Sequence, residues 1–80
     1  MRAFLMASCL VLAGPALAAD DASSCAEGIT MIRDALALNP PETAVPKLRK
    51  ALRVAEREQK EGEFDECLDA VGDARRVLGR

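Results

Sequence analysis

One amphipathic segment, with a cysteine in its apolar stripe, constrains the fold of this chain more than any other feature. Apolar and small side chains recur there at intervals of three or four residues, at Phe64, Cys67, Leu68, Val71, Ala74 and Leu78. This spacing places them on one face of an α-helix. A helix of this kind is stable only when other elements cover its apolar face. The segment therefore predicts a helical domain in which Cys67 is buried.

Two earlier segments have the same periodicity and supply the covering helices. The first repeats at Cys25, Ile29, Ile32 and Leu36, with Met31, Ala35 and Leu38 beside the stripe. The second repeats at Val45, Leu48, Leu52 and Ala55, with Ala51 beside it. No segment alternates apolar and polar residues as a strand would. With short connections, three such helices predict an all-α, up-down-up mini-domain in which the outer two helices are parallel.

The helix boundaries can also be predicted. Ser24 and Glu27 fit a capping box, which would start the first helix there and leave residues 20–23 as a loose leader. Pro40 predicts that the first helix ends at Leu38. The second helix is expected to begin near Thr43 or Ala44. Gly62 should end it, since glycine favours the left-handed conformation at a helix C-terminus.

Gly72, inside the third helix, is expected to allow another backbone to come close, because it has no β-carbon. Gly28, inside the first helix, has no explanation from the sequence.

Residues 1–18 have the pattern of a secretory signal peptide. Arg2 gives a positive start, an apolar stretch follows, and Ala16-Leu17-Ala18 places small residues where a signal peptidase reads them. We expect cleavage after Ala18, with Ala19 as the second choice, so that residues 19–80 form the domain. The alternative is an uncleaved anchor helix, but the apolar stretch is short for a membrane span. No stable membrane insertion is expected after cleavage. The alanine-rich signal indicates a bacterial cell envelope, so the location is expected to be periplasmic or secreted.

Cleavage determines the cysteine count. Cys9 lies within the signal peptide, and its removal would leave Cys25 and Cys67 as a pair. In an exported chain such a pair is expected to form a disulfide, the alternative being two buried thiols. The domain would need this bond, because Phe64 is its only aromatic residue and its core must be small.

The charges restrict the function more than they define it. The formal net charge is −2, with 11 basic and 13 acidic residues. Nucleic acid is not an expected partner, since binding it requires a basic surface. A local basic group is nevertheless present on the second helix, at Lys47, Arg49, Lys50 and Arg53. We regard these four residues as a candidate interaction surface, although the apolar stripe of the same helix is explained by packing alone.

Residues 47–80 resemble one helix pair of the tetratricopeptide type. The matching positions are Gly62, Phe64, Cys67 and Ala74. In that family the glycine closes the turn, the phenylalanine fills the space between the helices, and a small residue lets them approach. Ala51 and Glu58 stand where aromatic residues are usual, and Gly79 replaces the closing proline. The resemblance implies a helix hairpin. It does not imply peptide binding, since one unit forms no concave groove.

No catalytic, cofactor-binding or metal-binding residues are predicted. The chain contains no histidine, which removes the usual general base and most zinc sites. It has no C-x-x-C pair and no glycine-rich phosphate loop. The acidic run at residues 61–66 lacks the ligand spacing of a calcium loop and is interpreted as complementing a helix dipole. An enzyme is therefore not expected.

The sequence leaves two hypotheses for the function. The first is a non-enzymatic interaction or structural module of the cell envelope, with a protein partner that the sequence does not identify. The alternative is a small periplasmic stress or acid-resistance chaperone that would expose Ile29, Leu52 or Phe64 to its clients.

Overall fold

A computed structural model describes the backbone of residues 13–80 and the side chains of residues 20–80. It contains three helices, α1 (Ala13–Ala37), α2 (Val45–Lys60) and α3 (Phe64–Leu78). Residues 13–80 include no strand. The prediction of an all-α domain of three helices is thus confirmed. The predicted signal peptide lies mostly outside the described residues.

The N-terminal end of α1 differs from the prediction. The helix already includes residues 20–23 and Ser24, so the loose leader and the capping box are both wrong. The alanines and Leu17 before this point are strong helix formers, and they allow the helix to extend past Ser24. Gly14 and Pro15 also lie in its first turn, where a proline removes no helical hydrogen bond. The predicted cleavage sites therefore lie within a helical segment.

The C-terminal end of α1 is set by Asn39. The helix ends at Ala37, and the N–H of Leu38 donates to the carbonyl oxygen of Ala35 at 3.2 Å. Asn39 then adopts a positive φ of 55°, which asparagine tolerates better than most residues. Leu38, expected beside the buried stripe, is 78% exposed, and that prediction is wrong. It follows the last residue of α1, where the chain already turns away from the core.

The predictions that α2 begins near Ala44 and that Gly62 ends it are confirmed. Ala44 is the N-cap of α2, and Pro46 lies in the first turn, where it does no damage. Gly62 ends α2 with a φ of 78°. Gly79 ends α3 with a φ of 76°, and the N–H of Arg80 then donates to the carbonyl oxygen of Arg75 at 2.8 Å. This is the pattern of a Schellman cap.

The core consists mainly of small side chains. Its buried members are Cys25, Ile29, Ile32, Ala44, Leu48, Ala51, Ala55, Cys67, Ala70, Val71 and Ala74. Most of them belong to the predicted stripes; Ala44 and Ala70 were not predicted. Phe64, Leu36 and Leu52 are only half-buried at the edge of this cluster. Because alanine dominates, the helices must pack closely to exclude water.

α1 and α3 are parallel and in close contact. Cys25 faces Cys67, with 5.8 Å between their Cα atoms, and about one turn further along both helices Gly28 faces Val71. A β-carbon built on Gly28 would lie 2.5 Å and 2.6 Å from the two Cγ atoms of Val71. The glycine that allows the close approach is therefore Gly28. The prediction for Gly72 was wrong, since a β-carbon there would meet only Arg76 Nη1 at 3.9 Å.

Candidate functional site

A pair of cysteines in the core joins α1 to α3. Cys25 and Cys67 are both 0% exposed, and their sulfur atoms are at bonding distance, 2.06 Å apart. The structure thus supports the predicted disulfide. It joins α1 to α3 across 42 residues of sequence, so the hairpin of α2 and α3 cannot separate from α1 while the bond is intact.

A groove that is open to solvent lies between α2 and α3, and we call it the α2–α3 groove. Its volume is about 420 Å³. Its lining residues are Lys47, Lys50, Ala51 and Val54 from α2, and Glu66, Asp69, Ala70, Asp73 and Val77 from α3. None of them comes from α1, so the groove lies on the face of the hairpin that α1 leaves uncovered.

The floor of the groove is apolar and shallow. Ala51 and Ala70 are buried between the two helices, and Val54 and Val77 are half-buried beside them. The small alanines bring α2 and α3 together without filling the space above them. Partly exposed aliphatic carbon therefore remains accessible from solvent along the middle of the hairpin.

The two walls of the groove carry opposite charges. Lys47 and Lys50 form the α2 wall, and Glu66, Asp69 and Asp73 form the α3 wall. All five side chains are exposed. Asp73 pairs with Arg76 on its own helix, whereas no ion pair among residues 20–80 includes either lysine. The ammonium groups thus remain available to a molecule bound in the groove.

The predicted basic surface is divided by the geometry of the helix. All four residues are exposed: Lys47, Arg49, Lys50 and Arg53. Only Lys47 and Lys50 line the groove. Arg49 and Arg53 are four residues apart and share a different face of α2. The structure therefore does not bring all four cations together.

Sequence reasoning missed the acidic wall. Glu66, Asp69 and Asp73 follow one another at intervals of three and four residues, so they share one face of α3. That spacing was readable from the sequence. Their position opposite two lysines was not, because it depends on how the two helices rotate when their alanines pack together.

Neither a metal site nor a membrane span is found in the part of the chain that the structure describes. No three cysteine, aspartate or glutamate side chains within it are grouped so that they could hold a metal ion. None of its helices is long and apolar enough to cross a membrane.

Comparison with known proteins finds no family model, curated protein or solved structure that matches this chain. The hairpin that the tetratricopeptide resemblance implied is present in α2 and α3, with Gly62 in the turn and Cys67 and Ala74 buried. A helix hairpin by itself assigns no family.

Proposed function

We propose that this chain is a small, exported, non-enzymatic protein-interaction module of the cell envelope, located in the periplasm or outside the cell. The observation that carries the proposal is the α2–α3 groove. It combines an accessible apolar floor with exposed charged walls. That arrangement, an apolar centre with a charged rim, is common in protein interfaces.

The disulfide supports the location. Disulfides persist in oxidising compartments and are rare in the cytoplasm. The bond between Cys25 and Cys67 lies at the centre of a small core, where it contributes a large share of the stability of a domain with few bulky residues. The signal-peptide pattern of residues 1–18 agrees with the same location.

A binding role also agrees with the available chemistry. The chain has no histidine, and the walls of the groove contain only lysine and carboxylate side chains above alanine and valine. Lysine and carboxylate are well suited to charge-assisted hydrogen bonds with a polypeptide. No ion pair in the groove joins either lysine to a carboxylate that could act as its base.

Capture from the cell envelope tests the proposal. The oxidised chain would carry a C-terminal tag and be cross-linked in intact cells, and bound proteins would be identified by mass spectrometry. The variant Lys47→Glu/Lys50→Glu reverses the basic wall. The matched control Arg49→Glu/Arg53→Glu makes the same change of charge on the same helix but outside the groove.

We expect the wild-type chain and the control to capture the same protein, and the Lys47→Glu/Lys50→Glu variant to lose it. Equal capture by all three chains would show that the groove is not the binding surface. Recovery of the wild-type chain from the cytoplasm with both cysteines reduced would contradict the location.

A further inference from the structure

We propose that the α2–α3 groove takes a second copy of this chain, forming a symmetric dimer in which the two hairpins pack face to face. This inference rests on the proposed function, since it names one partner for the same groove. The charges on the two walls of the groove, together with its apolar floor, indicate this partner.

The groove is unusual because each wall belongs to one helix and carries one sign of charge. The charged residues that α2 contributes to the groove are both cations, Lys47 and Lys50. Those that α3 contributes are all anions, Glu66, Asp69 and Asp73. A partner of uniform charge would meet a wall of its own sign and be repelled there. The complementary surface must therefore carry the same pair of charges in the opposite order.

A second copy provides that order through symmetry alone. In a twofold dimer the same patch is used on both subunits, and a contact from α2 to α3 is repeated from α3 to α2. With the twofold axis parallel to the helices, α2 of each copy lies over α3 of the other. Lys50 of one copy then faces the acidic wall of the second copy, and the reciprocal contact forms on the other side.

The apolar floor of the α2–α3 groove is compatible with a face-to-face dimer. Ala51 and Ala70 give a low surface along the middle of the hairpin, with Val54 and Val77 beside them. Two such surfaces placed face to face form an antiparallel four-helix arrangement of α2 and α3 from both copies. The aliphatic stems of the lysines can cover the apolar floor while their ammonium groups reach the opposite carboxylates.

The size of the surface predicts a weak dimer. The helices have 16 and 15 residues, so each is about 24 Å long, and two helices side by side are about 20 Å wide. The contact would bury about 500 Å² on each copy, or about 1,000 Å² in total. This is at the lower limit for a specific interface. We therefore expect self-association that depends on concentration and on salt.

Sedimentation of the oxidised chain, purified as it is recovered after export, tests the inference. Between about 10 µM and about 1 mM, the wild-type chain is expected to pass from monomer to dimer. Raising the salt to about 1 M, where charges are screened beyond about 3 Å, should raise the dissociation constant at least about tenfold. A wild-type chain that stays monomeric over this concentration range would overturn the proposal.

Charge reversal locates the contact. Lys47→Glu/Lys50→Glu makes the whole groove acidic. Asp69→Lys/Asp73→Lys makes most of it basic and reverses the two carboxylates nearest the height of Lys50 along the hairpin. Each variant alone should therefore be monomeric. An equimolar mixture of the two should form a heterodimer, because an acidic groove then meets a basic one. Arg49→Glu/Arg53→Glu is the matched control and should dimerise like the wild type. Far-UV circular dichroism confirms that each variant is folded.

The outcomes separate this inference from the proposed function. Dimers of equal strength in the wild type and in both reversal variants would place the contact elsewhere and overturn the inference. A monomeric wild type whose envelope partner is lost in Lys47→Glu/Lys50→Glu would also overturn it, because the groove would then bind a different protein. A dimer that dissociates in both variants and reforms in their mixture supports the inference even if no other protein is captured.

Discussion

Replacing Gly28 with alanine is expected to destabilise the domain, although alanine is the better helix former. Gly28 lies on α1 against Val71 of α3, and it has no side chain to meet that residue. An added β-carbon would lie 2.5 Å, 2.6 Å and 3.0 Å from Val71 Cγ2, Cγ1 and Cβ. Ordinary contacts between carbon atoms are about 3.5–4.0 Å, so the two helices would have to separate by about 1 Å.

Neither residue can easily relieve the overlap. Val71 is buried, and a valine in a helix has one strongly preferred rotamer. Rotating it would leave its β-carbon too close in any case. The disulfide between Cys25 and Cys67, about one turn away, also keeps α1 and α3 together.

The change in the free energy of unfolding for Gly28→Ala is the sum of two opposing effects, overpacking of the core and better helix propensity. Overpacking a core typically costs about 1–3 kcal/mol, and the gain in helix propensity from glycine to alanine is about 1 kcal/mol. Because the disulfide limits relaxation, the upper part of the overpacking range applies, and we expect a net loss of about 1–2 kcal/mol. In a domain of this size each kcal/mol lowers the melting temperature by about 4–8 °C.

Thermal and urea unfolding of the oxidised chain measure this effect, and Gly72→Ala is its matched control. Gly72 also lies inside a helix, but an added β-carbon there would meet only Arg76 Nη1 at 3.9 Å. Gly72→Ala should therefore stabilise the domain by up to about 1 kcal/mol. In a Val71→Ala background the two Cγ atoms are gone and only the β-carbon at 3.0 Å remains, so Gly28→Ala should cost much less than in the wild type, with a coupling energy of about 1–2 kcal/mol. If Gly28→Ala raises the stability of the wild-type chain as Gly72→Ala does, the close approach of α1 and α3 is refuted.

Four further predictions concern the rest of the molecule. Reducing the disulfide should lower the free energy of unfolding by about 4 kcal/mol, as expected for a loop of this length. Urea unfolding with and without reductant measures this difference. An unchanged midpoint would show that the bond does not stabilise the domain. Leu38→Ser should change the free energy of unfolding by no more than about 0.5 kcal/mol, because the side chain is exposed. Ile32→Ala should cost about 2–5 kcal/mol, because its side chain is fully buried. Similar losses in the two variants, measured by urea unfolding, would contradict the placement of Leu38 outside the core. Gly62→Ala should cost about 1–2 kcal/mol from its positive φ alone, since no atom lies within 4 Å of the added β-carbon, and a cost near zero would argue against this turn. A client-aggregation assay at low pH should show no chaperone activity, because the disulfide between Cys25 and Cys67 holds α1 and α3 together and keeps Ile29 covered. Suppressed aggregation would favour the chaperone hypothesis instead.

The fold was predictable wherever the apolar spacing and the turn residues agreed. The stripe through Cys67, Val71 and Ala74, together with Gly62, located α3 and the end of α2. The start of α1 was not predictable, because Ser24 and Glu27 fit a capping pattern while the alanines before them favour a helix that continues, and the two signals disagree. Capping residues stabilise a helix end only where the helix actually ends.

The candidate site was less predictable than the fold. Proximity in sequence grouped Lys47 and Lys50 with Arg49 and Arg53, but these pairs face different directions around one helix. The acidic wall depends on the rotation of α3 against α2, which is set by Ala51 and Ala70. The role of Gly28 depends on Val71, a residue of another helix that lies opposite it. Contacts between helices of this kind are not encoded in the spacing of either helix alone.

The intact mass of the chain recovered from the cell envelope, after alkylation without reduction, tests both the cleavage and the disulfide. We expect a chain that begins at Ala19, or at Asp20 if the second cleavage site is used. It should carry no alkyl group and should be lighter by two hydrogen atoms than the fully reduced form. A chain that retains residues 1–18, or that is alkylated at both Cys25 and Cys67, would contradict it.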